Sequence, residues 1–401
     1  MAIQLYTTLS MKQFHGFERF FEALRSECDK YRSELRFVIA DQISPDEYIR
    51  RCNKKKHITI VWGLTVEQEI SFITKANSAG IPYAMLQCNP IPKSIVHFNM
   101  VSVDFTEAMK ELTTSLIRSG RRRIAFLGLN TNTSVDIAKS IGYKMALNEN
   151  DMIFDMKNIY KYGMSGIHGA IEGVLNAKNP YDAIVCSTDS IAVLLMSEVF
   201  KRKVSVPDDL AITGFDDLII GRFTNPKLTS VRLDFEKLGH IAGKVCRMLW
   251  EDLDISSFKF FLTHELIIRE SCGTGGMNAR IIRDRPQDVL YGVEHYIADP
   301  FQMKFAVAAK SQESDNKAVF FDKDINRIEE TERTFANLNA GDVLMLEMLF
   351  RDKKIKEISK DLFISDSSVK YRLKKLAEKM KFNNSRQMKI ILEKTIYAIN
   401  G

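Results

Sequence analysis

Over residues 1–273, short apolar runs alternate with amphipathic stretches. This is the pattern of βα units, in which a parallel sheet is covered on both faces and its strands read as near-continuous apolar segments. Strands are predicted at 3–7, 35–40, 58–62 and 83–87, with helices between them near 14–31, 46–53 and 66–79. A second series has strands near 123–127, 183–187, 210–213 and 229–232, and helices near 105–119, 136–148, 166–177, 191–200 and 235–251. Two such series predict two α/β subdomains facing each other across a cleft.

The period changes to a purely helical one in the last sixty or so residues. Val369, Leu373, Leu376 and Met380 recur at helical spacing and form one apolar stripe, while Lys370, Tyr371, Lys374 and Lys375 fall on the opposite face. Ser365 has the chemistry of an N-cap, and the charge of Asp366 suits the positive end of the helix dipole. Ahead of it, Ile355, Ile358 and Leu362 form the stripe of another helix, and the short turn Phe363-Ile364 predicts a helix-turn-helix. In that geometry the second helix lies in a DNA major groove. Between the two regions, 274–337 reads as a connector or dimerisation element. It holds a glycine-rich hinge at 273–276, a weakly helical stretch at 286–296, a candidate hairpin from 304–309 and 318–321, and a charged, helix-prone run at 325–338.

Charge sharpens this division. Residues 336–401 carry 14 Lys and Arg against 8 Asp and Glu, an excess equal to the whole chain's formal charge of +6, while the 335 residues before them balance at 43 against 43. Excess positive charge confined to a small helical tail is what phosphate neutralisation requires. At 401 residues and 45% hydrophobic content, the chain has room for two or three domains with their own cores. Nowhere do eighteen apolar residues run uninterrupted, and the first residues show no basic region followed by a long apolar run, so a cytoplasmic protein without a membrane partner is expected. Cys28, Cys52, Cys88, Cys186, Cys246 and Cys272 are scattered, with no Cys-x-x-Cys pair, which predicts reduced thiols rather than a zinc site or a disulfide framework.

Two resemblances follow from these motifs. The segment 338–394, with its Lys-Glu-Ile start, Leu-Phe-Ile-Ser turn and Ser-Val-Lys core, resembles the C-terminal helix-turn-helix of the LuxR type. The resemblance implies base reading by Lys370, Tyr371 and Lys374, and backbone phosphate contacts from Lys356, Ser367, Ser368 and Arg372. Ser368, Arg372 and Lys381 stand where the family usually has Thr, His and Gly, and Ala340-Gly341-Asp342 replaces its Pro-Arg-Glu run. The second resemblance rests on six motifs in order. They begin at Arg123, Gly142, Tyr181, Val206, Pro226 and Glu265, and include Ser187-Thr188-Asp189 and Gly214-Phe215-Asp216-Asp217. Together they resemble the effector-binding domain of LacI/GalR-type repressors. The fold implied is α/β, a two-subdomain periplasmic-binding-protein-like fold with parallel sheets, plus a small all-α C-terminal helix-turn-helix domain. LacI/GalR repressors carry DNA-binding helices ahead of this domain. This chain opens directly on its first strand, so the C-terminal helix-turn-helix is expected to take their place.

Ligands of open parallel sheets collect at the C-terminal ends of strands. By resemblance, effector contacts fall on Lys139, Thr188, Asp189 and Asp216. Lys139 replaces the family's usual Arg, which exchanges a bidentate fork for a point charge. Trp62 could stack on a sugar face, and Asp104 and Thr8, with Asp41 and Gln87, complete the set. Each has a plainer reading: Asp189 and Asp216 as helix or turn caps, Trp62 as a core residue, Lys139 as a solvated helix residue. No phosphate-cradling Gly-rich loop with Lys and Ser/Thr, no Gly-x-Ser-x-Gly and no histidine pair at metal-ligand spacing is present. The sequence therefore predicts no catalytic residues, no metal and no cofactor. The combined expectation is a one-component transcriptional regulator with three parts: an effector-binding domain over 1–273, a connector over 274–337 and a DNA-binding domain over 338–401. Its partners would be double-stranded DNA, a small-molecule effector of sugar type and a second copy in a homodimer. The alternative is a cytoplasmic solute-binding sensor acting through a protein partner.

Overall fold

The computed structural model describes residues 2–12, 14–52, 57–87, 97–161, 166–251, 257–273, 323–336, 338–380 and 382–397. The predicted hinge at 274–276, the helical stretch at 286–296, the hairpin and Lys381 lie outside these residues.

The first subdomain is built on a six-stranded parallel sheet. Its strands are β1 (Ala2–Thr7), β2 (Glu34–Ile39), β3 (His57–Trp62), β4 (Tyr83–Leu86), β5 (Met100–Val103) and, far along the chain, β11 (Lys259–Leu262). Their order is β11-β5-β4-β3-β1-β2. The central β3 and β4 are buried nearly throughout, as both covered faces of a parallel sheet require. Helices α1 (Leu9–Lys12), α2 (Phe17–Lys30), α3 (Pro45–Arg51) and α4 (Val66–Ala79) follow strands in turn. Phe17, Phe20, Leu24 and Cys28 repeat every three or four residues along α2 and turn inward. They pack against the late helix α9 (Phe235–Glu251), whose Gly239 lies so near the Phe20 carbonyl that no Cβ would fit.

The second subdomain has a four-stranded parallel sheet in the order β7-β6-β8-β9, from β6 (Ile124–Leu129), β7 (Ile159–Lys161), β8 (Ala183–Cys186) and β9 (Ala211–Thr213). Beside it, β10 (Ser230–Arg232) pairs antiparallel with β12 (Glu265–Ile267). Its helices are α5 (Phe105–Arg118), α6 (Ser134–Glu149), α7 (Gly166–Leu175) and α8 (Asp189–Lys201). The chain passes between subdomains three times, after β5, after β10 and after β11. Sequence periodicity located the longer strands to within about two residues. It missed β5, β7, β11 and β12, which are only three or four residues long.

The C-terminal part is wholly helical: α10 (Lys323–Ala336), α11 (Ala340–Phe350), α12 (Ile355–Asp361), α13 (Asp366–Lys379) and α14 (Ser385–Tyr397). In α11, Asn339 accepts from the Asp342 N–H at 2.8 Å and Asp342 accepts from the Asn339 N–H at 3.3 Å. This reciprocal capping box does for the helix start what the family's Pro-Arg-Glu run would otherwise do. One apolar core runs from Leu218, Ile220 and Phe223 of the second subdomain through Ile328 and Phe335 of α10 to Leu346, Ile358, Leu373 and Met388. The helical domain is therefore docked on the second subdomain.

Candidate functional sites

At the mouth of the cleft, three elements that are distant in sequence meet. His15 lies in the turn before α2 and is packed against the rings of Phe14 and Phe235. Ser190 lies in the first turn of α8, whose N-cap is Thr188. Glu329 of α10 reaches both, accepting from Ser190 Oγ at 2.7 Å and pairing with His15 Nδ1 at 3.1 Å. Burial alone would drive the imidazole neutral, but the neighbouring Glu329 carboxylate outweighs it, with Asp216 and Glu332 adding to the effect, and the His15 pKa rises to about 9. Glu329 responds in the opposite sense. Its burial raises the carboxyl, and His15 and Ser190 more than compensate, so it sits below the ordinary glutamate value. One turn on, Glu332 accepts from the backbone N–H groups of Ile219 at 2.8 Å and Ile220 at 3.0 Å. It thus caps the 3-10 turn Ile219–Arg222 from outside.

Beside this junction opens a cavity of about 690 Å³. Its wall is shared by His15 and Arg19 of the first subdomain, Asp216 and Arg222 of the second, the crossover segment 232–237, and Glu332, Val343 and Glu347 of the helical domain. Asp216 is held at φ +108°, a region costly for any residue with a Cβ. Its N–H donates to the Val231 carbonyl at 2.8 Å, and this bond helps fix the strained turn. Burial raises its carboxyl pKa, while Lys139 and His15 pull the other way.

Of the predicted effector residues, the structure brings Lys139 and Asp216 together. Lys139 is buried, not solvated. Its ammonium donates to the Ser187 carbonyl at 2.7 Å, lies 4.1 Å from the Phe215 ring centroid and stands 3.9 Å from Asp136. The others are engaged locally. Asp189 is fully buried, accepting from Ser230 Oγ at 2.6 Å and the Leu218 N–H at 2.7 Å, so both its oxygens tie α8 to the neighbouring loop and β10. Thr188 and Asp104 cap α8 and α5, accepting from the Ile191 and Glu107 N–H groups. Trp62 lies in the core among Phe14, Phe17 and Phe20, with its indole N–H on Gln87 at 3.0 Å. Thr8 donates to the Gly63 carbonyl, and Asp41 accepts from the Leu9 N–H at 2.7 Å. His15, Arg222, Glu329 and Glu332 escaped the sequence reading. Only the two glutamates left a trace, as carboxylates one turn apart in a charged helical run.

The second candidate site is α13. Val369, Leu373, Leu376 and Met380 are buried as their spacing predicts, and Ser365 caps the helix by accepting from the Ser368 N–H at 3.1 Å. Ser359 of α12 donates to Asp366 at 2.5 Å and locks the two helices in their turn. Lys370, Tyr371, Arg372 and Lys374 all face outward, as do Lys356 and Ser367, while Ser368 is half-buried.

A model of periplasmic binding protein-like domains matches residues 113–272, and a model of bacterial regulatory proteins of the luxR family matches 337–392. The chain joins a periplasmic-binding-protein-like domain to a LuxR-type helix-turn-helix. Its relatives are transcriptional regulators. The chain is 31% identical over 171 residues to the HTH-type regulator AscG of Escherichia coli, covering 42% of this chain and 50% of that one. It is 29% identical over 177 residues to RegA of Clostridium saccharobutylicum, covering 43% and 52%. The chain spans about half the length of the curated relatives it matches. Among solved structures, CcpA of Lactococcus lactis superimposes with a TM-score of 0.57 at 21% identity, over 68% of this chain and 99% of that one. The complex of the regulator CelR with cellobiose gives 0.58 at 16%, over 67% and 84%. These likenesses establish the two-subdomain fold around the cleft. Among the described residues, no helix is long and apolar enough to cross a membrane.

Proposed function

We propose that the chain is a one-component transcriptional regulator. A small molecule, a sugar or sugar derivative, binds between the two α/β subdomains, and the LuxR-type domain engages double-stranded DNA. It works in the cytoplasm as a homodimer on a (pseudo)palindromic operator, and binds its ligand without turning it over. Domain limits of 1–273, 274–337 and 338–401 fit the described elements, with α10 closing the connector. The observation that carries this reading is the division of labour in α13. Its apolar stripe is consumed by the domain's own core, while Lys370, Tyr371 and Lys374 stand free toward solvent on a cationic face. Lys356, Ser367, Ser368 and Arg372 flank that face as phosphate contacts. In the cleft, Asp216 is the predicted residue kept as a ligand contact, joined now by His15, while Lys139 is a buried positive charge that acts on Asp216.

Regulation then requires that ligand bind two arrangements of the molecule with different affinity. The DNA half of the reading is tested by fluorescence anisotropy on a selected operator. Lys370→Ala and Lys374→Ala should each lose ~1–3 kcal/mol of specific affinity, with less change in non-specific binding. Variants that shift specific DNA as the parent does would remove the recognition-helix assignment. A monomer at micromolar concentration, with and without DNA, would remove the dimer.

A further inference from the structure

The cavity beside α10 carries polar groups that nothing in the described molecule satisfies. His15 Nε2 is buried without a partner, on a side chain only 8% exposed, and Arg222 Nε is likewise buried and unpaired. The Asp216 carboxylate lines the same space and makes no hydrogen bond or ion pair among the described residues. Buried donors and acceptors left unmade cost free energy, so such a trio marks a place where another molecule's atoms belong. The two nitrogens call for acceptors, and the carboxylate takes hydroxyl protons.

The seat beside His15 is already held by an acid, and that acid belongs to the protein. Glu329 fits between an imidazole of one subdomain and a hydroxyl of the other, which is how a ligand would bridge them. Elsewhere in the lining, Arg222 and Arg232 are already turned toward Asp217, at 3.8 and 2.7 Å, and Arg19 is exposed, so His15 is the buried cation whose counter-charge a ligand can take over. Removing Glu329 without a replacement would strip His15 of its counter-charge in a buried position, which is costly. A neutral sugar cannot make that exchange, whereas an acid makes it one charge for one.

Resting on the regulator reading above, we propose that the effector is a polyhydroxylated anion, a sugar acid or a sugar phosphate. Its acidic group replaces Glu329 at His15 while its hydroxyls meet Asp216, and α10 is thereby loosened from the cleft together with the helical domain it carries. Helix α10 is the effector's built-in competitor. Coupling between ligand and DNA needs no further element, since α10 leads directly into the DNA-binding domain.

The test uses the full chain and isothermal titration with matched gluco and galacto probes: the aminosugar, the neutral sugar, the uronate, the aldonate and the 6-phosphate. At least one anionic probe should bind tenfold or more tightly than its neutral and cationic counterparts, and uronate or aldonate against 6-phosphate separates the two sources of negative charge. Glu329→Gln, which removes the competitor but keeps the shape, should bind that probe about tenfold tighter. His15→Gln should lose it. Hydrogen exchange over residues 323–336 should quicken with the bound probe in the parent, and without it in Glu329→Gln. Equal or stronger binding of neutral sugars, an unchanged affinity in Glu329→Gln, unaltered exchange at 323–336, or no anionic probe bound by parent or Glu329→Gln would each overturn the proposal. None of these readouts involves DNA, so they stand or fall separately from the Lys370→Ala and Lys374→Ala experiment.

Discussion

Helices α10 and α13 are both charged, both fourteen residues long, and used in opposite ways. In α10 the acids of the inward face are occupied, Asp324 with His168, Glu329 with His15 and Ser190, Glu332 with two backbone N–H groups, and only Glu330 of its four acids is exposed. In α13, Lys370, Arg372 and Lys374 make no salt bridge among the described residues and project into solvent. A charged helical face whose charges are all matched inside the molecule serves the molecule's own assembly. One left unmatched, with a strong sign and an apolar back already buried, is available to a polyanion. The contrast gives each helix its task, docking for α10 and reading for α13, and substitutions can break it from either side.

The largest effect is expected at Phe335. It is fully buried on α10, with its ring 5.3 Å from that of Phe223 in the second subdomain. Phe335→Ala removes the ring and leaves a cavity at the docking surface, a loss of ~3–5 kcal/mol. If α10 is the docking element, this appears as protease sensitivity and fast exchange across the helical domain, with the two α/β subdomains still folded. A variant whose helical domain stays as protected as the parent's would place the docking energy elsewhere.

Next in size is a pH dependence. His15 has its pKa raised from 6.5 to about 9, so it contributes stability that is complete below about 6.5 and is lost as pH rises through about 9. A shift of that size corresponds to ~3 kcal/mol at most. Glu329 is shifted down, so its contribution is present above the ordinary glutamate value and is lost only as pH falls through its lower folded value. Together they favour the docked state most from about pH 4.5 to 6.5. The gap in unfolding midpoint between parent and His15→Gln should therefore be widest near pH 6 and close by pH 9.5. A gap constant across that range would mean that the imidazole contributes shape and not charge.

The DNA-facing side was the more legible of the two in the sequence, and the reason is spacing. The stripe Val369, Leu373, Leu376, Met380, the Ser365 cap and the outward cations all lie within sixteen residues, so local periodicity carries the information. The sheets were legible where three or four apolar residues ran together, as at 60–62 and 183–186, but not at short edges such as β7 and β12. The cleft was only half readable. Carboxylates and threonines at strand ends can cap a helix or meet a ligand with the same local sequence, and Asp189, Asp104 and Thr188 proved to cap or brace, while Asp216 faces the cavity. Lys139 read as a solvated helix residue or a ligand contact; it is buried with its charge spent on a carbonyl and a ring. The His15–Glu329 pair spans 314 residues, and no periodicity connects its halves.

A smaller effect separates phosphate contact from base reading. Lys356 is exposed on α12 beside the reading helix. Lys356→Ala should weaken binding about equally on operator and unrelated DNA, and lower the slope of log affinity against log salt by about 1. A loss confined to the operator would move Lys356 into the base-reading group.

The smallest expected change is at Asn339, and it tests whether docking and reading are energetically distinct. Helix α11 follows α10 directly, packs on α12, α13 and α14, and carries Glu347, which pairs with Lys227 of the second subdomain at 3.0 Å. Asn339→Ala removes one half of the capping box at its start, a loss of about 1 kcal/mol. Global unfolding is a blunt measure of so small a change in a chain with several cores, so amide exchange of residues 343–350 is the direct one. Exchange there should quicken about fivefold, in line with that free energy, while specific DNA affinity stays within a factor of about two. The reason is that Ser359 on Asp366, the contact that holds α12 to α13, involves neither residue of the cap, and the link from the cap's Asp342 to Lys379 of α13 at 3.4 Å is a partly exposed ion pair of small worth. Quickened exchange with a parallel loss of operator affinity would show instead that the end of α11 sets the pose of the reading helix, and that docking and reading are two readouts of one rigid unit.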